Sequence, residues 1–520
     1  MSSPANITAT VHPQIPYSHS SYELNHVVFG QIVTSLLILL VLWRIWKFTL
    51  FPLLHPDLPK ELPYWIPCHG LAFFQDPHGL ISRSMRYFNN TGKPFALTAF
   101  GMTFYVVTQA KQSAEVFKNT ETLSFERFVQ GLMRINGNNE HAIKAMYTPL
   151  SREKPGFPNP QGESLGVLAQ KMHIRQLNPG NKELIHLQQK VRNWIDSHLK
   201  LHIMSRFGNH PVKQGPTYIE VPLYQWTSEL FVCLGQDVYF GEALKKINPG
   251  VPQAFMVFDE LIWKMLYQYP RFLSRDMATG RTEVINALCR YLRTPIEERS
   301  DAAWLISAME TEMKEIGLET IFWVLTYLLH NPPLLAAYLK ETEPAFDCNG
   351  ALVDPSYIQN AENCPQVDAI WHETLRMVSW SASIRFITKD TLIGDKLLPK
   401  GHRVIVPHRL QHFDEAVFGA NTHEFHPERW LHGGKDLTRN SSWHPFGAGK
   451  TMCSGRFLAR FSVTTFVATV LQRFDISLVG NPPFPQGDEG RPVLGIISIK
   501  EGEEFTVRLT AKSTRHYSRK

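Results

Sequence analysis

The apolar positions of this chain fall mostly into helical spacing, with a few short β-rich runs between them. Residues 164–177, 181–200, 217–246 and 251–272 carry apolar side chains every three or four positions and predict helices. The clearest stripe is Leu184, Leu187, Val191 and Trp194. Asn178-Pro179-Gly180 separates the first two of these segments. Ala302 to Lys340 predicts one long helix ending near Asn331-Pro332-Pro333, where another begins. Strand-forming runs are confined to Pro94–Phe100 and Phe104–Thr108, a hairpin about Gly101, and to Arg403–Val406 and Phe505–Arg508. The expected class is mainly α with small peripheral β-sheets.

The longest apolar run departs from this amphipathic pattern. Val27 to Trp43 carries no charge, and Ile45 and Trp46 extend it past Arg44, so residues 27–46 predict a transmembrane anchor. No Lys or Arg precedes the run, whereas Arg44 and Lys47 follow it directly. The bias of basic residues toward the cytosolic side makes residues 1–26 a lumenal tail and leaves the main domain in the cytosol. A cleaved signal peptide is the rival, but the charged leading region and the small-residue cleavage site are missing. Asn6-Ile7-Thr8 is a glycosylation sequon that this orientation would expose. Prolines at 52, 56, 59, 63 and 67 make residues 47–67 read as a stiff hinge off the membrane, with residues 68–520 as one catalytic domain.

Composition narrows the picture little. The 520 residues are 43% hydrophobic, ample for a substantial core, and after Pro67 no long linker or repeat divides them. The six cysteines, Cys68, Cys233, Cys289, Cys348, Cys364 and Cys453, show no paired pattern, which argues against a disulfide scaffold and for a reducing compartment. A net charge of +6 is modest; it suits an acidic redox partner, and no nucleic-acid module is present.

The most informative chemistry lies in Phe446-Gly447-Ala448-Gly449-Lys450-Thr451-Met452-Cys453-Ser454-Gly455, just ahead of an apolar helical run. Small residues let the backbone approach a flat ligand, and a following helix N-terminus favours a thiolate. One cysteine is too few for a tetrahedral zinc or iron–sulfur site, so the sulfur points to the axial position of a haem. On its own the loop reads equally well as a buried cysteine in a glycine-rich turn.

Three matches in order change that weight. The loop resembles the cysteine loop of the cytochrome P-450 family, on Phe446, Gly449, Cys453 and Gly455. Glu373-Thr374-Leu375-Arg376 resembles the family's Glu-x-x-Arg, and Pro427-Glu428-Arg429-Trp430 its Pro-Glu-Arg-Trp. By itself Glu-x-x-Arg is nearly uninformative, since its plain alternative is a surface ion pair worth roughly 0.2–0.5 kcal/mol. The resemblance runs from about Val27 to the C-terminus. It implies the P-450 fold behind one N-terminal transmembrane helix, haem b held by the Cys453 thiolate, and Glu373 and Arg376 locked to Arg429 behind the haem. It also implies a propionate contact from Arg385, for which a solvated strand charge is the alternative. Thr451 stands where most of the family has Arg or His toward a propionate, so that contact must come from elsewhere or be lost. The loop is nearest to the branch containing sterol 7α-hydroxylases and prostacyclin synthase.

A second departure concerns the helix expected to cross the haem. Read directly, Gly317-Leu318-Glu319-Thr320 resembles the acid–alcohol pair that delivers protons to bound oxygen, making Glu319 and Thr320 the catalytic candidates. Read by distance from Phe322-Trp323 and Asn331-Pro332, the alcohol position falls one turn earlier, on Ile316, and the two registers share one helix face. The resemblance implies a monooxygenase of the endoplasmic reticulum membrane, of a kind found in fungal secondary metabolism, with NADPH-cytochrome P-450 reductase as electron donor. Its expected substrate is a large apolar terpenoid, sterol or other lipid-like metabolite, contacted by segments around Phe128–Leu132, Phe255–Leu266, Met309–Leu318, Val378–Phe386 and Leu494–Ile497. Phe258, Trp263 and Tyr267 suit such a ligand. The alternatives are a haem-thiolate isomerase or lyase that needs no external electrons, favoured by the Ile316 register, and a haem-binding sensor.

Overall fold

The computed structural model describes residues 19–66, 68–99, 101–135, 137–150, 159–208, 211–266, 271–309, 320–432, 434–491, 493 and 495–512. The helices used below are α1 (His19–Ile45), α2 (Gly70–Gln75), α3 (Ala110–Lys118), α4 (Leu165–Leu177), α5 (Lys182–His198), α6 (Leu223–Ile247), α7 (Val251–Leu266), α8 (Arg275–Arg293), α9 (Trp304–Met309), α10 (Thr320–Leu329), α11 (Pro332–Thr342), α12 (Pro365–Val378) and α13 (Arg456–Arg473). Their dominance over short strands matches the mainly helical expectation.

One six-stranded sheet runs in the order β1 (Lys60–Glu61), β2 (Phe95–Ala99), β3 (Met102–Val106), β10 (Arg403–Pro407), β7 (Ala382–Ile387), β4 (Leu123–Ser124). The β2–β3 hairpin forms as expected, with Phe95 opposite Val106 and Gly101 at φ +72° in its turn. A four-stranded sheet orders β11 (Phe474–Leu478), β12 (Thr506–Ala511), β6 (Tyr218–Pro222) and β5 (Lys213–Gln214), and β8 (Thr391–Ile393) pairs with β9 (Lys396–Leu398).

The core lies where α6, α10, α12 and α13 meet. Residues 461–471 of α13 are buried without interruption, the mark of a helix wrapped on all sides. Phe466 meets the ring of Phe231 edge-on at 4.9 Å and that of Trp226 at 6.0 Å. The hydroxyls of Thr464 and Thr469, buried inside this helix, donate to the carbonyls of Arg460 and Thr465 one turn back, so neither is left unsatisfied. The start of α12 is capped from a distance: the Glu341 carboxylate accepts from the N–H groups of Gln366 and Val367 at 2.9 and 2.8 Å.

Three expectations need correction. The predicted 217–246 helix starts only at Leu223, because Ile219 and Val221 alternate with Tyr218 and Glu220 and pair with β12; the buried β-branched residues win over helical spacing. The 251–272 segment is α-helical over Val251–Leu266, but its end, Arg271–Leu273, is a 3₁₀ turn; residues 267–270 lie outside the described segments. The N-terminal apolar helix does not stop at Trp46 but continues through a π-turn, Trp46–Leu50, into Phe51–Leu54. Pro52 does not break it, since it occupies the first turn of that last piece, where its missing N–H is no loss. The helix ends at Leu54, and the chain turns through residues 55–58, where Leu58 N–H donates to the His55 carbonyl at 3.2 Å. The 302–340 region divides as expected at Asn331, whose side chain accepts from Leu334 N–H at 3.2 Å to cap α11; residues 310–319 lie outside the described segments.

Candidate active site

The cysteine loop is built from two left-handed glycines, Gly447 at φ +71° and Gly449 at φ +65°. Any side chain would be strained at Gly449, where a Cβ would sit 2.9 Å from the Phe117 carbonyl at the end of α3. The loop closes on itself: Cys453 N–H donates to the Phe446 carbonyl at 3.0 Å and Met452 N–H to that of Gly449 at 3.2 Å. Gly455 caps α13, and the Gln170 amide on α4 donates to the Lys450 carbonyl at 2.7 Å, tying the loop to a second helix. Phe446 stacks toward Trp371 of α12 at 6.4 Å. Cys453 itself is exposed on this scaffold.

Behind the loop, Glu373 and Arg376 lie one turn apart on α12 with fully buried side chains. The pair is bidentate: Arg376 Nε donates to Glu373 Oε2 at 2.9 Å and Nη2 to Oε1 at 2.8 Å. Glu373 also accepts from Arg429 Nε at 3.1 Å, Trp430 Nε1 at 2.8 Å and His426 N–H at 2.8 Å. The remaining Arg376 donors reach the carbonyls of Thr422, Glu424 and His412. Burial alone would raise the Glu373 pKa, but the Arg376 hydrogen bonds and charge reverse that and hold it below the ordinary carboxylate value. The cluster ties α12 to the whole 412–430 segment.

Arg385 on β7 sits on the other flank, buried, its guanidinium over Phe125 at 5.1 Å. It donates to the Ile384 carbonyl at 2.9 Å and to Thr451 Oγ1. Among the described residues it has no carboxylate partner, and burial alone pulls its pKa down to about 10. Thr451 in turn donates to the Ala448 carbonyl at 3.3 Å. The residue at the departure from the family pattern is thus the acceptor that aims this buried cation. Thr451→Val should leave one buried donor unsatisfied and cost ~1–3 kcal/mol in urea unfolding, whereas Thr451→Ser should restore most of it.

Three histidines pack beside this flank. His408 bonds Ser383 Oγ at 2.9 Å through Nε2, and His412 Nε2 accepts from His444 N–H at 3.1 Å. Burial holds all three pKa values down, His408 to about 3 and His412 well below the ordinary imidazole value, with Arg385 adding to it at His408 and Arg376 and Arg409 at His412. In the unfolded chain an imidazole protonates near 6.5, so below that pH the unfolded state binds more protons than the folded one. Their contribution is complete above pH 6.5 and is lost as the pH falls below it, by up to ~1.4 kcal/mol per pH unit for each. The urea midpoint should therefore fall between pH 7.5 and 5.5, and His408→Gln should make that fall shallower.

Comparison with known proteins points to one family. A cytochrome P450 family model matches residues 318–501, the stretch holding Glu373, Arg376, Arg429 and Cys453. A cytochrome P450 monooxygenase of Penicillium oxalicum is 25% identical over 82% of this chain and 88% of its own length. A steroid 17-alpha-hydroxylase/17,20 lyase of Squalus acanthias is 32% identical over 34% of this chain and 35% of its own. A self-sufficient cytochrome P450 monooxygenase of Penicillium freii is 31% identical over 40% of this chain and 20% of its own length.

The chain carries a cytochrome P450 domain over residues 318–501.

As a P450 monooxygenase it implies haem, and the residues present fit that group. Among the described residues no cluster of three or more His, Cys, Asp or Glu side chains could hold a metal ion, and the exposed Cys453 thiol suits a metal whose other ligands come with a prosthetic group. Arg385 is a buried cation without counter-charge, as a carboxylate-bearing ligand requires. The Tyr239 hydroxyl on α6 is buried without a partner, near enough to Cys453 that the sulfur adds to the burial raising its pKa.

Not every expected P450 site residue is placed. Glu319 and Ile316 lie outside the described residues; Thr320 opens α10, but its side chain is also outside them. Of the substrate segments, Phe128–Leu132 is helical, Phe255–Leu266 lies on α7, and Val378 and Trp380 are buried; Met309–Leu318 is described only at Met309, and Leu494 and Tyr267 are not described. Two surface clefts of about 380 and 240 Å³ lie along α5, and Cys453 lines neither. Sequence reasoning missed Trp430 Nε1 and the 412–424 carbonyls as partners of Glu373 and Arg376. It also missed Trp323, which binds the Ile497 carbonyl at 2.7 Å through Nε1 and joins α10 to the turn before β12. An indole beside a motif arginine was the available signal for the first.

Proposed function

We propose that this P450 is a membrane-anchored monooxygenase that hydroxylates or otherwise oxidises a large apolar metabolite, a terpenoid, a sterol or another lipid-like compound. Cys453 would hold the haem iron through its thiolate, and NADPH-cytochrome P-450 reductase would supply the electrons. The observation that carries the reading is the exposed Cys453 on a loop held by two left-handed glycines, with the buried Glu373–Arg376–Arg429 cluster behind it.

Bound haem supplies one-electron redox chemistry and oxygen activation, with the thiolate pushing electron density toward O–O cleavage. Within that frame each residue has a task. Cys453 ligates from the tip of the loop; Phe446, Gly449 and Gly455 set its backbone so that a flat group can approach. Arg385, aimed by Thr451, meets a negatively charged edge. Glu373, Arg376 and Arg429 hold the underlying segments rigid. Glu319 and Thr320 pass protons to the oxygen site, a general acid–base role of the kind worth roughly 10²–10⁴-fold. Phe258 and Trp263 on α7 support an apolar substrate, as does the steroid-hydroxylase relative.

One segment among the described residues, Val28–Leu54, is long and apolar enough to cross a bilayer, and none of its most apolar window is buried. Arg44 and Lys47 at its end favour a cytosolic catalytic domain, and the endoplasmic reticulum is the membrane that fits a separate reductase.

The test is incubation of the purified protein and reductase with terpenoid and sterol libraries under ¹⁸O₂, with and without NADPH. Label incorporated only with NADPH supports the reading. An unlabelled, mass-neutral product formed without NADPH would replace it with the isomerase or lyase alternative. Thr320→Ala should uncouple NADPH oxidation from product; full coupling would move the alcohol position to Ile316.

A further inference from the structure

We propose that the segment joining the anchor to the catalytic domain is a latch, and that it seats Trp65, Ile66 and Leu71 in the bilayer leaflet where the anchor ends. This rests on reading Val28–Leu54 as a membrane span.

The helical path supplies the first part of the argument. At 1.5 Å per residue, the 27 residues from Val28 to Leu54 extend for about 40 Å, longer than a hydrocarbon core of roughly 30 Å. The last turns therefore leave the acyl region and carry Trp43, Arg44, Lys47 and Phe48 through the headgroup layer. Long cations at such a boundary normally reach into water or toward lipid phosphates. Here both turn to the domain. Lys47 Nζ donates to the Tyr64 hydroxyl at 2.5 Å and pairs with Glu61 at 3.2 Å. Arg44 donates to the Tyr64 carbonyl, and its guanidinium lies 4.3 Å over the Trp65 ring. The Tyr64 ring is held between Phe48 at 5.1 Å and Trp43 at 5.9 Å.

The other side of the latch is fixed to the sheet. Lys60 and Glu61 pair with β2, Leu62 N–H donates to the Ala96 carbonyl at 2.9 Å, and His69 N–H donates to that of Thr98 at 3.1 Å. Upstream, the Asp57 carbonyl accepts from Leu397 N–H of β9 at 2.9 Å, and Lys396 reaches the Pro56 carbonyl. The chain between span and domain is thus held at both ends, and the proline-rich segment does not swing freely.

What the latch presents is apolar. Trp65 and Ile66 in the turn and Leu71 on α2 are all more than half exposed, with Ile66 at 68% and Leu71 at 70%. They continue the exposed surface of the span itself. A surface continuous with a membrane span, edged by Trp, Tyr, Arg and Lys, fits the boundary between headgroups and acyl chains.

The test uses the full-length haem-loaded protein in phosphatidylcholine nanodiscs, with Cys68, Cys289 and Cys348 replaced by serine. An environment-sensitive nitrobenzoxadiazole probe is attached at Ile66→Cys or Leu37→Cys, and quenching is read with lipids nitroxide-labelled at acyl position 5 or 16. The expected result is quenching of both probes, the one at 66 by the shallow label. Tyr64→Ala should then reduce the signal at 66 at least twofold and leave that at 37 unchanged. Quenching at 37 with an aqueous probe at 66 would overturn the docking while the span stands. Unchanged quenching at 66 in Tyr64→Ala would overturn the latch. An aqueous probe at 37 would remove the span, and the proposal with it.

Discussion

Glu373→Ala should destabilise the catalytic domain by ~3–5 kcal/mol and leave little haem-loaded protein. The cost comes from what is left behind. Arg376 stays fully buried with its charge intact, and four groups from α12 and the 426–430 segment lose their common acceptor. A surface ion pair of the same spacing would cost a tenth of that. Urea unfolding of the purified variant, followed by circular dichroism and by haem absorbance, measures both effects. Glu373→Gln should fall between, because it keeps two oxygen- and nitrogen-bearing positions but loses the charge. A loss below about 1 kcal/mol would show that the cluster is not structural. Arg429→Ala should be milder, since Glu373 retains Arg376, Trp430 and His426.

Cys453→Ser is expected to separate chemistry from fold. The Cys453 side chain is exposed and makes none of the loop's closing hydrogen bonds, which run through its N–H and carbonyl. Stability should therefore change by no more than about 1 kcal/mol. The reduced CO complex should lose the red-shifted Soret band that a thiolate ligand produces, and product formation should fall below detection. An unchanged band would refute Cys453 as the ligand. Comparing the two variants is informative in itself: one removes loading through the scaffold, the other removes function on an intact scaffold.

Much of this architecture was legible before any coordinates. Local signals carried the elements: the Leu184–Trp194 stripe, the Asn331 cap before Pro332, and Gly101 between two β-rich runs. Paired motifs in fixed order carried the family resemblance, through Glu373, Arg376, Arg429 and Cys453. What stayed illegible depended on partners supplied from elsewhere. Residues 218–222 have apolar content compatible with a helix, and only β12, almost three hundred positions on, makes them a strand. Thr451 was recognisable as a departure, yet its bond to Arg385 depends on how β7 passes the loop. The helix beyond Trp46 was missed because Pro52 was counted with the later prolines as part of a stiff hinge, when its place in a first turn lets the helix run on. The acid–alcohol register at Glu319, Thr320 and Ile316 was ambiguous in the sequence for a simple reason: positions one turn apart share a helix face.

The placement of β12 has a consequence for how the protein is made. This strand lies between β11 and β6 in the four-stranded sheet, so β6 cannot complete its hydrogen bonding on that side until residue 511 has left the ribosome. Closing so long a loop is slow, and the unpaired edge of β6 stays available for wrong pairing meanwhile. The apolar segment near the N-terminus emerges hundreds of residues earlier. If it is captured by a membrane as it emerges, the rest of the chain folds while tethered at one end. Local concentration and orientation are then set before the last strand arrives, and diffusion into aggregates of like chains is restricted to two dimensions.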